Sequence, residues 1–279
     1  MACENLRIAF IGAGRMGEAL IRGLIRSGAD PAKITAADRD AARLASLAEK
    51  HGLTAAPSNA DAAAGADAVI LAVKPKDVPD ALAGLKNALK VKTLLISIAA
   101  GVNIKTLAAG LPAGARVVRV MPNAPAEKDA AISAIAAGPN ATEADIKTAG
   151  EVFSAVGLTV TVKESDMNAV TAVSGSGPAY FYLFVKALTD AGVQVGLDRE
   201  TAYKLAHETM FGASRMLKYS KKTPAELIDI VRSPGGTTAA ALDIFDERGF
   251  VSIVEDAVRA ASDRGVEIER ELEEKGTAD

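Results

Sequence analysis

Arg7-Ile8-Ala9-Phe10-Ile11-Gly12-Ala13-Gly14-Arg15-Met16-Gly17 decides the fold. An apolar run of strand length ends at Ile11, and three glycines follow in the spacing G-x-G-x-x-G before an amphipathic stretch begins. In that context Gly12 permits a tight turn, Gly14 lets the backbone approach a pyrophosphate, and Gly17 allows close strand–helix packing. The helix start adds backbone N–H groups and a partial positive charge for the phosphates. Gly12, Ala13, Gly14, Arg15, Met16 and Gly17 therefore read as a dinucleotide cradle rather than as a packing turn. Asp38, 21 positions after Gly17 at the end of the next apolar run, stands where a carboxylate would meet the adenosine ribose and favour NAD. Its neighbour Arg39 would pair with a 2′-phosphate and favour NADP. The two pull in opposite directions, and both cofactors stay open on these residues.

Outward from the loop, short apolar runs at 7–11, 34–37, 68–73, 93–98 and 116–120 alternate with amphipathic stretches at 16–27, 40–50, 77–89 and 103–109. Runs that are apolar at every position suit strands buried on both faces, and the alternation predicts a doubly wound parallel sheet of the Rossmann type. Gly28 stands where a helix C-terminal glycine belongs, and Asp40 and Asp77 stand where N-caps belong. Two more apolar runs, 131–136 and 158–162, with a helix over 142–155 between them, extend the sheet. After Lys163 the pattern becomes helical throughout, at 177–192, 198–219, 223–231, 238–248 and 251–274. The expected organisation is an α/β domain over 1–163 followed by an all-α domain over 164–279. Five helices with several apolar faces in so short a stretch point to burial against a second copy of the chain, and so to a homodimer or larger homo-oligomer.

The composition removes several classes of function. Lys plus Arg number 32 against 35 for Asp plus Glu, and aromatics make up only 4%, which leaves neither a polyanion-binding surface nor stacking platforms for nucleic acid. No apolar stretch approaches the length of a membrane span, and the single cysteine, Cys3, rules out an intrachain disulfide, so a cytoplasmic location is expected. Charge divides unevenly: 19 basic against 15 acidic residues before Glu164, and 13 against 20 from there on. The first part is the better host for an anionic cofactor. Only two histidines occur, His51 and His207, neither with an obvious aspartate nearby in sequence to orient it, and no metal-ligand spacing is present. An alcohol dehydrogenase built on histidine is disfavoured.

Two further segments carry polar backbone. Ser233-Pro234-Gly235-Gly236-Thr237-Thr238 precedes a helix and offers free N–H groups with two threonine hydroxyls, which suits a carboxylate and a nitrogen of a small substrate, or a plain capping turn. Ser174-Gly175-Ser176-Gly177-Pro178 is either a loop lining a site or a helix N-terminus. These segments, with Ala72-Val73-Lys74-Pro75, Ser97-Ile98-Ala99-Ala100-Gly101-Val102 and Met121-Pro122-Asn123, make the chain resemble the pyrroline-5-carboxylate reductases from residue 6 to about 265.

The resemblance implies an N-terminal Rossmann domain, a helical domain that dimerises, and hydride transfer from NADPH or NADH to the imine carbon of Δ1-pyrroline-5-carboxylate, giving L-proline, the last step of proline biosynthesis. It implies that Ser233, Gly235, Gly236, Thr237 and Thr238 hold the substrate carboxylate, with Ser176 beside them, and that the Thr238 hydroxyl meets the ring nitrogen. It places Ala72, Val73, Lys74, Pro75, Ala99 and Asn123 along the cofactor, with Lys74 able to supply charge or a proton. One stretch departs from the family. Ala124 replaces a threonine, and Glu127-Lys128-Asp129 brings charges where an apolar, glycine-containing segment is usual. A reductase for a related cyclic imino acid, or a non-catalytic NAD(P)H sensor, are the alternatives this leaves. A β-hydroxyacid dehydrogenase shares the layout but needs a lysine soon after its second glycine motif; here Lys186 comes too late and Asp190 follows it.

Overall fold

Strand β1 (Ile8–Ile11) is buried at every position and lies inside an eight-stranded sheet ordered β3-β2-β1-β4-β5-β6-β7-β8. The computed structural model describes residues 6–276, so Cys3 lies outside the described residues. The remaining strands are β2 (Ile34–Ala37), β3 (Thr54–Ala55), β4 (Ala68–Leu71), β5 (Leu94–Ser97), β6 (Arg116–Met121), β7 (Ala131–Ala137) and β8 (Gly157–Thr161). Helices α1 (Arg15–Arg26), α2 (Ala41–His51), α3 (Asn59–Ala63), α4 (Val78–Leu85), α5 (Ile104–Ala109) and α6 (Glu143–Ser154) connect them. Alternate residues of β1 face opposite layers. Ile8 and Phe10 pack with Leu20 and Leu24 of α1 and with Phe153 of α6. Ala9 and Ile11 pack with Val78, Leu82 and Leu85 of α4 and with Leu107 of α5. A strand with cover on both faces has no solvent side, which is why its sequence is a continuous apolar run.

Every pair in the sheet is parallel except β6 with β7. A parallel return needs a crossover of a dozen or more residues. Only residues 122–130 join these two strands, and they form one 3-10 turn (Ala124–Lys128), so the chain reverses instead. The order changes direction at β1, with β2 on one side and β4 on the other. A doubly wound sheet opens its binding crevice at such a switch, beyond the carboxyl ends of the strands.

The helix signals act as the sequence implies, with one exception. Asp40 accepts from the Arg43 N–H at 3.0 Å and caps α2, and Thr142 with Asp145 forms a reciprocal capping box on α6. Gly28 takes φ +100° just past α1. Asp77, expected to cap α4, makes no capping bond and accepts from Arg39 at 2.9 Å.

Arg119 is a cation within the apolar β6, only 4% exposed. It pairs with Glu269 at 3.0 Å and Glu164 at 3.6 Å, while Asn168 donates to the other Glu269 oxygen at 3.0 Å. Removing the cation leaves two carboxylates facing the buried gap without their partner. Arg119→Ala should lower stability by about 3 kcal/mol, the typical cost of breaking a buried pair from one side. A denaturant midpoint within about 0.5 kcal/mol of wild type would contradict that.

The chain divides into two compact units, residues 1–176 with 261–279, and residues 177–260. Short α7 (Met167–Val170) and a π-helical turn (Thr171–Gly175) end the first stretch. The second unit holds α8 (Gly177–Gln194), α9 (Arg199–Tyr219), α10 (Pro224–Val231), α11 (Thr237–Glu247) and the start of α12 (Phe250–Gly276). Its apolar side chains are mostly open: Phe181, Tyr182, Leu183, Phe211, Val251 and Ile253 are each more than half exposed. Large apolar surface of this extent marks an interaction face.

Candidate functional site

Gly12 leaves β1 at φ +94°, its N–H on the Ala37 carbonyl at 2.8 Å. A Cβ there would lie 2.7 Å from the Ala72 carbonyl oxygen, so the close approach of the β1 and β4 loops requires glycine. Gly17 is held the same way, its missing Cβ 2.7 Å from the Gly12 carbonyl oxygen. Gly14 differs. It has ordinary angles (φ −70°, ψ −172°), and an added Cβ would meet only an Arg43 guanidinium nitrogen at 3.9 Å. Two of the three glycines thus serve packing, and the third keeps space open above the start of α1. That helix has Gly14 as its N-cap and no side-chain cap, which leaves its first N–H groups facing outward.

Asp38 closes the loop from the neighbouring strand. Its Oδ2 accepts from the Ala13 N–H at 2.7 Å and its Oδ1 from the Asp40 N–H at 2.8 Å. The carboxylate thereby fixes the glycine turn. Gly12, Gly14, Asp38, Arg39, Ala72, Val73 and Lys74 line one cavity of about 370 Å³. Arg43 and Lys76 line it too, and neither was singled out by sequence. Four cations and four carboxylates therefore line the space, and carboxylates hold the two arginines. Arg39 spans Asp77 and Asp80, each at 2.9 Å, and Arg43 pairs with Asp40 at 2.9 Å. The Asp40 carboxyl is held below the usual carboxylate range, first by the Arg43 N–H and then by its guanidinium. Uncapped N–H groups, an open glycine and two lysines and two arginines among the lining fit a dinucleotide with its phosphates.

The other expected residues lie around this core in different ways. Pro75 begins a 3-10 turn (Pro75–Asp77) and lines a separate cavity with the end of α12. Ala99 is buried just beyond β5, its N–H on the Ser97 hydroxyl at 3.3 Å. Asn123 is 8% exposed and uses both ends of its amide structurally: Nδ2 donates to the Ser174 carbonyl at 3.2 Å, and Oδ1 accepts from the Ile132 N–H at 3.1 Å. It ties the end of β6 to β7 and to the π turn. Ser176 follows that turn, its N–H on the Thr171 carbonyl at 2.8 Å, and Gly175 lets Met121 approach to within 2.7 Å of where a Cβ would be. Such π turns recur at functional sites, and spacing alone gave no sign of this one.

The segment 233–238 belongs to the second unit. Gly235 takes φ +69°, Gly236 donates to the Ser233 carbonyl at 3.0 Å, and a Cβ on Gly236 would stand 2.3 Å from the Ser233 hydroxyl. The positive φ calls for glycine at 235, whereas at 236 the crowding atom is a serine hydroxyl that can rotate away. α11 then begins at Thr237 with Gly236 as an N-cap that offers no side chain. The first N–H groups of the helix have no side-chain cap, an arrangement that suits a small anion. On α8, Lys186 pairs with Asp190 at 2.8 Å, one helical turn on, rather than serving as a catalytic lysine.

Comparison with known proteins agrees with this arrangement. Residues 164–268 match the family described as pyrroline-5-carboxylate reductase dimerisation, and residues 7–101 match NADP oxidoreductase, coenzyme F420-dependent. The chain is 45% identical over 267 residues to the pyrroline-5-carboxylate reductase of Pseudomonas aeruginosa, covering 95% of this chain and 98% of that one. It is 44% identical over 266 residues to the enzyme of the same name from Methanosarcina acetivorans, covering 95% and 98%. A solved pyrroline-5-carboxylate reductase from Coxiella burnetii aligns with TM-score 0.90 at 35% identity, over 94% of this chain and 98% of that one. A Plasmodium falciparum pyrroline carboxylate reductase solved with NADP bound aligns with TM-score 0.85 at 32% identity, over 95% and 99%.

Proposed function

The chain belongs to the pyrroline-5-carboxylate reductase family, and from that premise we infer how its own residues carry out the reaction. It reduces the imine of Δ1-pyrroline-5-carboxylate to L-proline with NADPH. The observation that carries the cofactor half is the Gly12–Gly17 loop, with Gly14 open over an uncapped helix start beside a cavity that Arg39, Arg43, Lys74 and Lys76 help to line. When bound, the nicotinamide supplies a hydride to the imine carbon, the C=N electron pair moves to nitrogen, and one proton makes up the balance.

The protein's part is mostly positioning, because a protonated imine is already electrophilic. The N–H groups of Thr237 and Thr238 hold the substrate carboxylate at the start of α11, on the turn that Gly236 closes through its own N–H to the Ser233 carbonyl. The Thr238 hydroxyl meets the ring nitrogen, and Ser233 and Gly235 shape the turn that presents it. Ser176 lies along the substrate, while Ala72, Val73, Pro75, Ala99 and Asn123 frame the cofactor. Lys74, at the cavity wall, supplies positive charge or the proton. Residues 164–279 form the helical part that binds substrate and dimerises, and residues 1–163 form the dinucleotide domain. The exposed apolar side chains of the second unit support burial against another copy. No helix among the described residues is long and apolar enough to cross a membrane, and we place the enzyme in the cytoplasm.

Arg39 and Arg43 favour NADPH over NADH by offering cations to the 2′-phosphate in exchange for their present carboxylates. Arg39→Ala should raise KM for NADPH about tenfold and leave KM for NADH nearly unchanged; parallel changes for both cofactors would remove Arg39 from this role. The reaction itself is tested by incubating the protein with pyrroline-5-carboxylate and each cofactor, then comparing cofactor oxidised with proline formed. Tight NADPH binding without turnover would make the chain a sensor. Turnover only with larger cyclic imines would change the substrate.

A further inference from the structure

The turn Ala124–Lys128, where the sequence leaves the family pattern, lies against the helix that starts the dinucleotide site. Glu127 grips Arg15 at two points, Nε to Oε1 at 2.8 Å and Nη2 to Oε2 at 3.1 Å. Arg15 is the first residue of α1, next to Gly14, where the helix presents its N–H groups to a pyrophosphate. Its side chain is 87% exposed.

The Glu127 side chain is not what seats the turn. Ala126 is buried beneath it, Arg22 donates to the Glu127 backbone carbonyl at 2.8 Å, and Arg26 pairs with Asp129. Three arginines spaced along α1 thus meet the segment, and two of them need nothing from the Glu127 carboxylate. What that carboxylate does is occupy the guanidinium carried by the first residue of α1, while Arg43 reaches the other side of Gly14. An exposed carboxylate–guanidinium pair is weak, whereas a phosphate offers more charge and more acceptor oxygens. The pair is therefore open to exchange.

We propose that Glu127 is an internal competitor for the cofactor: it holds Arg15 in the free protein and yields it to the NADPH pyrophosphate, so that it sets cofactor affinity. This rests on the dinucleotide reading of residues 12–17. The charges introduced at 127–129 then have a function at the cofactor rather than at the substrate. Glu127 lowers affinity for NADPH, and its return to Arg15 assists release of the oxidised cofactor.

The test is direct titration of NADPH, read by its fluorescence, on wild type, Glu127→Gln, Arg15→Ala and the double variant, at low and high salt. Glu127→Gln should tighten Kd about fivefold at low salt, the equivalent of about 1 kcal/mol, and by less at high salt. In the Arg15→Ala background the same substitution should change Kd by less than about twofold, because there is no guanidinium to release. Asp129→Asn perturbs the anchorage of the same segment and should leave Kd unmoved. Equal or weaker binding by Glu127→Gln overturns the proposal, as does a gain that persists without Arg15, which would mean simple charge repulsion. Failure of wild type to bind NADPH would instead overturn the dinucleotide reading itself.

Discussion

Thr238→Ala should lower kcat for pyrroline-5-carboxylate by about 10²- to 10³-fold, the usual size of losing one positioned donor at a reacting centre. Thr238 is the second residue of α11, whose N-cap is Gly236, so its side chain does not close the helix end. Its hydroxyl makes no hydrogen bond among the described residues, and its removal leaves no partner unsatisfied. The melting temperature should therefore stay close to that of wild type, and NADPH should bind as before. Thr238→Ser keeps the hydroxyl and should recover most of the rate, while Thr238→Val keeps the shape and should not. An alanine variant with wild-type kcat, or a serine variant as slow as alanine, would remove Thr238 from the ring nitrogen.

The residues that make this enzyme legible in sequence are those whose role is local. A glycine at a fixed offset from a strand end, or an aspartate at a helix start, acts through its own few neighbours, and the chain records that spacing. The Gly12–Gly17 loop, the Asp40 cap and helices α8 to α12 are of this kind. What stayed hidden depends on partners distant in sequence. Asp38 was legible as an acid at the ribose position, but not as the acceptor of the Ala13 N–H, because that bond forms only when β1 and β2 pair. Arg119 reads as an interruption of an apolar run until Glu164 and Glu269 are brought to it. A lone cation in a strand buried on both faces was the available signal, since such a charge needs a counter-ion. The reversal between β6 and β7 follows from a short connection that the run lengths alone did not settle. Two-residue β3 and five-residue α3 are too short for any periodicity to register.

The same distinction between local and approached space separates the glycines of the cofactor loop, and it predicts opposite outcomes for two one-methyl substitutions. Gly14→Ala should leave the fold unchanged, within about 0.5 kcal/mol, because the backbone is already at φ −70° and the new methyl meets only a guanidinium nitrogen at 3.9 Å. That methyl, however, stands where the pyrophosphate must approach the N–H groups of α1. Losing that approach forfeits one or two charge-assisted hydrogen bonds, so Kd for NADPH should rise about a hundredfold, or about 2.7 kcal/mol. Gly12→Ala should do the reverse in kind. At φ +94°, and with its Cβ 2.7 Å from the Ala72 carbonyl oxygen, it should destabilise the protein by at least about 2 kcal/mol through strain and displacement of the β4 loop. Paired thermal melts and NADPH titrations distinguish the two. A Gly14→Ala protein that binds NADPH normally would mean that the phosphates do not pass over this residue. A Gly12→Ala protein as stable as wild type would mean that the approach between the β1 and β4 loops is not held by the missing side chain. If both outcomes appear as expected, the spacing of the loop divides by function, with Gly12 joining the sheet's two halves and Gly14 serving the ligand.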